Sequence, residues 1–156
     1  MSIAIDQQSR TAVLTLERLS QLTSSGIKHA SFVSGRGLVR ATSDEIIRKP
    51  KGGRTYIIRD RAGRRRRHVA SAAGETHANM SGKLRCSLGF KAGVNQLEFG
   101  YGVQKGDAPE YAEWVEFRTG KMKARPSLQN GIKSQRRNFQ NNFEREISKR
   151  LEGVGF

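Results

Sequence analysis

From Pro126 onward, Leu128, Ile132, Phe139, Phe143, Ile147 and Leu151 form an apolar stripe, with Arg136, Arg137, Arg145, Lys149 and Arg150 elsewhere. That spacing is one face of a long amphipathic helix, and the face must be covered by another part of the chain. Pro126 suits a first helical turn, where its missing N–H goes unused, and Gly153 supplies a stop. The pattern predicts a helix from about Pro126 to Leu151, packed on a sheet, with Phe139 and Phe143 in the core.

The strands for that sheet lie in the middle of the chain. Between Asn95 and Val103, Leu97, Phe99, Tyr101 and Val103 alternate with polar residues and glycine at period two, which is a strand. Gly89 to Val94 supplies its antiparallel partner, closed beyond by Gly106-Asp107. Arg54 to Asp60 (RTYIIRD) is a third strand, rich in β-formers. Ser2 to Asp6 alternates as a short edge strand. Between them, Ser9 is an N-cap candidate for a helical stretch with Leu16, Leu19 and Leu22 on one side. The stripe runs on through Gly26, Ala30, Val33, Gly37 and Ala41. Its glycines each weaken a helix by about 1 kcal/mol, so a break is expected near Ser24-Ser25-Gly26, with a second helix to about Arg48. Pro50 and the glycines of KPKGG then end it.

These elements define an α+β fold: N-terminal helices, an antiparallel sheet of about four strands, and a long C-terminal helix on the sheet. A chain of 156 residues suits one domain, residues 1–156, with a basic loop or arm of about residues 60–82 inserted between strands. Ser71 to Gly82, rich in small residues, reads as a mobile loop.

Charge is distributed unevenly. Residues 48–91 carry 13 basic and 2 acidic side chains, whereas residues 92–120 carry 2 and 5. A net +11 in 44 residues exceeds what solubility needs and points to a polyanion or an acidic neighbour. Arg61, Arg64, Arg65, Arg66 and Arg67 are the candidate contact residues, a cluster that grips phosphates without reading sequence.

No catalytic constellation emerges. His29, His68 and His77 lack metal-ligand spacing, and Cys86, the single cysteine, excludes an internal disulfide. No phosphate-cradling Gly-Lys-Ser/Thr motif occurs. The expectation is a non-enzyme without cofactor or metal. A small basic ribonuclease using His68 or His77 is the weaker alternative. The apolar runs are too short for a membrane span, and the polar start is no signal peptide, which fits synthesis in a reducing cytosol.

The most specific stretch is Tyr111 to Leu128, YAEWVEFRTGKMKARPSL. An apolar group containing the only Trp sits among acids, followed by a Thr119-Gly120 turn and a basic loop. Trp114 and Phe117 are expected in the core. Glu110, Glu113, Glu116, Arg118, Lys121, Lys123 and Arg125 are expected at a subunit or docking interface.

This stretch resembles the "YA-x-x-V-E-F-G-T…M-x-A-R-P" signature of the tail-completion, or head–tail joining, proteins of tailed DNA phages. A second stretch, His68 to Leu88 (HVASAAGETHANMSGKLRCSL), is similar to that family's "H-x-A-S-A-P-G-E-x-P-A-N-x-T-G-x-L-R-x-S". Arg118 stands where the family has Gly, Ser127 where Phe is common, and Ala73 and Thr76-His77 where prolines are common. The resemblance implies a structural virion protein of the neck, made in the host cytoplasm. It implies a homo-oligomeric ring, six-fold to match a tail, that completes the tail and joins it to the DNA-filled head. The implied partners are further copies of itself, a head-side connector or head-closure protein, a tail terminator or tail tube protein, and genomic double-stranded DNA in the lumen. The alternatives are a tail terminator ring, or a non-viral basic nucleic-acid-binding module.

Overall fold

The computed structural model describes residues 2–152 except 105 and 107, with side chains described from residue 17 onward. Leu16, Ser9, Asp107 and Gly153, named above, therefore lie wholly or in their side chains outside the described residues. The elements are α1 (Ser2–Arg48), β1 (Thr55–Arg59), β2 (Arg65–Val69), α2 (Lys83–Cys86), β3 (Leu88–Ala92), β4 (Leu97–Tyr101), α3 (Ala112–Phe117) and α4 (Ser127–Glu152).

The N-terminal region is one 47-residue helix, not an edge strand followed by two helices. The reason lies in its partner. α4 runs antiparallel along α1, pairing Gly26 with Glu146 and Arg150, Ser34 with Asn142, and Thr42 with Gly131. A Cβ at Gly26 would lie 3.2 Å from the Arg150 side chain, so this glycine marks close approach and not a turn. At the other end, a Cβ on Gly131 would collide with the Thr42 hydroxyl. The buried stripe of α1 is Gly26, Ala30, Ser34, Leu38, Thr42 and Ile46, at steps of four residues. Packing along this small-residue stripe outweighs the intrinsic cost of glycine in a helix.

The expected packing of α4 on a sheet is likewise corrected. The four strands form two separate two-stranded antiparallel sheets, β1–β2 and β3–β4. A strand of five residues spans about 17 Å, whereas a 26-residue helix is about 39 Å long, so no such hairpin covers α4. The long partner α1 does. β3–β4 packs against α1 instead, where Phe90 lies edge-on to Phe32 with ring centroids 5.5 Å apart and rests over Gly35. β3 and β4 match the expected hairpin, with Phe90 opposite Phe99 and a turn closed by Gly93 N–H to the Gln96 carbonyl at 2.9 Å.

The apolar core is small: Ala30, Leu38, Ile46, Leu84, Leu88 and Ala112 are the buried hydrophobic residues described. Phe139 and Phe143, expected in it, are half-buried and stack on each other at 4.7 Å. Among the described residues, no helix is long and apolar enough to cross a membrane.

Candidate functional site

Three features stand out once each predicted residue is placed. The first is a buried polar junction at the start of α4. Pro126 precedes the helix and its carbonyl takes the Asn130 N–H at 3.2 Å, leaving the N–H groups of Ser127, Leu128 and Gln129 without helical partners. The Glu116 carboxylate accepts all three, at 2.9, 3.1 and 3.2 Å. A carboxylate on converging N–H groups at the positive end of a helix is a favourable arrangement. Glu116 is 3% exposed, so it is a cap and not a docking residue, which corrects the expectation for it.

The stretch Ser71 to Gly82, expected to be mobile, is docked onto this junction. Ser71, Thr76 and His77 are buried. Gly74 N–H bonds the Ala124 carbonyl at 3.0 Å, and Arg125 Nε donates to the Ser71 carbonyl at 3.2 Å. Arg125 is thus half-buried and holds the two stretches together, instead of facing a partner. His77 Nδ1 lies 2.7 Å from the Ser127 hydroxyl, and its ring meets Tyr101 edge-on at 6.4 Å. Burial pushes the His77 imidazole down to about 4, with the charges of Lys51 and Arg125 acting in the same direction. Burial likewise raises the Tyr101 hydroxyl, which sits beside Ser127 without a well-formed hydrogen bond. Glu75 closes the other end, taking N–H groups of Gly52 and Ala72, and these bonds hold its carboxyl below the usual range. Ser127 is fully buried and His77 nearly so, which makes the pair part of the packing between the two stretches.

The turn between Glu116 and α4 depends on Arg118. With φ 83° and ψ 154°, it is the one non-glycine residue of positive φ among those described, in a region that favours glycine. It reverses the chain so that Arg125 N–H reaches the Val115 carbonyl at 2.7 Å. Thr119 then closes the expected turn onto Met122, leaving Lys121 and Lys123 exposed.

The second feature is the β1–β2 hairpin. Of the consecutive arginines 64–67, Arg65, Arg66 and Arg67 belong to β2 itself and not to a loop, while Arg64 ends the turn before it. The register sets Arg59 opposite Arg65 and Ile57 opposite Arg67, so these four share a face. Asp60 binds Arg64 and Arg66, each at 3.1 Å. Arg61, Arg65 and Arg67 are exposed and have no ion-pair partner among the described residues. Ile57 is 67% and Tyr56 48% exposed.

The third is the outer face of α3. Ala112 and Glu116 turn inward, which leaves Glu110, Glu113, Trp114 and Phe117 outside. Trp114 is 54% and Phe117 63% exposed, correcting their expected place in the core. The helix is six residues long and its inner face is taken by small Ala112 and the capping Glu116. Residues three apart share a face, and here that face is the solvent side.

Sequence reasoning missed the roles of Glu116, His77, Ser127 and Tyr101. The available signal was the acid placed about ten residues before a proline-led helix start. Among the described residues no group of three or more His, Cys, Asp or Glu stands together as a metal site. No protein-family model, curated protein or solved structure matches this chain.

Proposed function

We propose that this chain is a structural subunit of the neck of a tailed double-stranded DNA phage, in a six-fold ring that completes the tail and joins it to the filled head. The observation that carries the reading is the junction at α4. The two stretches on which the resemblance rests, separated in sequence by β3 and β4, fold into one hydrogen-bonded unit. The positions that depart from the pattern also fit it. Arg118, where the pattern has Gly, adopts a glycine-favoured conformation. His77 and Ser127, both departures, touch each other at 2.7 Å.

A ring subunit needs unlike surfaces that meet head to tail, and it leaves apolar groups uncovered until it assembles. The small core, the exposed aromatics of α3 and the arginine hairpin suit that requirement. Lys121 and Lys123, on their exposed turn, belong to the surface that meets the neighbouring ring, and the genome passes through the lumen. The hairpin also supports the second reading, an autonomous nucleic-acid binder. Such a binder holds free duplex DNA at physiological salt, whereas a lumen protein need not.

The deciding experiment is electron microscopy of lysates from a phage carrying Lys121→Glu with Lys123→Glu, beside one lacking the chain. The expected result is DNA-filled heads and separate full-length tails. Normal virions without the chain overturn the neck assignment, and empty heads alone assign it to packaging.

A further inference from the structure

The arginine hairpin and the α3 face each lack a partner among the described residues, and their chemistries are complementary. On the hairpin, Arg65 and Arg67 are exposed and unneutralised beside Ile57, whose apolar side chain adds nothing to a phosphate contact. Both faces of this two-stranded sheet meet solvent, and an isolated two-stranded hairpin is marginally stable in water. At α3, Glu110, just before the helix, and Glu113 are exposed together with the rings of Trp114 and Phe117. Rings bordered by carboxylates are a surface for guanidinium groups, which stack on the one and pair with the other. Arg118 and the Lys121–Lys123 turn bound the patch on its C-terminal side.

We propose that the β1–β2 hairpin of one copy docks on the outer face of α3 of a second copy, Arg65 and Arg67 meeting Glu110, Glu113 and Trp114. Ile57 covers Phe117 in the same contact. The contact is heterologous, using two different patches, so it repeats around a ring. Exposed Trp and Arg residues of this kind are the ones that dominate protein interfaces. The proposal rests on the ring reading and names its subunit contact.

The chain's only Trp lies in the proposed contact, so its emission reports docking directly. The test is sedimentation velocity of the full chain together with Trp114 fluorescence, up to about 1 mM at low salt. The expected result is self-association with a blue shift in emission, both weakened by salt. Arg65→Glu with Arg67→Glu, and separately Glu110→Arg with Glu113→Arg, should each weaken association by more than about tenfold, since like charges then face each other. An equimolar mixture of the two variants should restore both signals, as should a chain carrying all four changes. That recovery separates lost contact from lost folding.

Failure of the mixture to recover overturns the proposal, as does association with unchanged Trp114 emission or a chain that stays monomeric throughout. A hairpin that binds short duplex DNA at physiological salt without self-association overturns it in favour of a phosphate ligand. None of these results bears on whether heads and tails join without the protein, which judges the ring reading separately.

Discussion

Replacing Arg118 by glycine should stabilise this protein. Arg118 holds φ 83° and ψ 154°, and its exposed side chain makes no hydrogen bond or ion pair among the described residues. A non-glycine residue in such a region carries about 1–3 kcal/mol of strain. Glycine removes that strain but adds freedom to the unfolded chain, at a cost of about 0.5–1 kcal/mol. The net gain is about 1 kcal/mol at the middle of these ranges, and for a chain of this size each kcal/mol moves Tm by about 2–4 °C. Arg118→Ala is the control, because it removes the side chain and keeps the Cβ. Thermal unfolding by circular dichroism should show Arg118→Gly raised by about 2–4 °C and Arg118→Ala unchanged within about a degree. Equal shifts for Gly and Ala would mean that the backbone strain is absent, and a lowered Tm for Gly would refute the argument outright.

Glu116→Ala leaves three N–H groups at the start of α4 without acceptors and should cost about 3–5 kcal/mol in urea unfolding, with Glu116→Gln costing less because one acceptor remains. His77 gives a pH dependence. Its folded value of about 4 lies below the ordinary 6.5, so the unfolded chain takes the proton first and stability falls as pH drops from 6.5 towards 4. That gap corresponds to roughly 3 kcal/mol, and His77→Gln should flatten the curve in this window. Ser127→Phe alone should destabilise by overfilling a fully buried site, whereas adding His77→Pro should recover about 1–3 kcal/mol of the loss in a double-mutant cycle.

Regular periodicity was legible wherever it decided the local structure. The α4 stripe, the alternation from Leu97 to Tyr101 and the β-formers of Thr55 to Arg59 each gave the element observed. Glycine was misread in α1, because a glycine that breaks a lone helix also lets a second helix come close, and sequence separation hides the second helix. Trp114 and Phe117 were misplaced for a related reason. Large aromatics usually sit inside, but α3 turns its small residue and its acid inward to reach α4. Trp114→Ala should therefore cost under about 1 kcal/mol, far less than a buried ring, and its effect should appear in association instead. Charge alone did not separate exposed arginines such as Arg65 and Arg67 from Glu116 and Arg125, which the junction takes inward, and the pairing of His77 with Ser127 spans fifty residues that no local pattern records.

The pairing of α1 with α4 also sets a clock. Thr42 cannot meet Gly131 until the residues between them have been made, which at about 5–20 residues per second takes on the order of 10 s. During that interval the stripe of α1 has no α4 to lie against, although β3 and β4 emerge earlier and can shelter Phe32. The small side chains of that stripe suit the wait. Only Leu38 and Ile46 of that stripe are large and apolar, so Gly26, Ala30, Ser34 and Thr42 limit the area open to misdirected association on the ribosome. The packed form of α1 therefore arrives only when the last helix does.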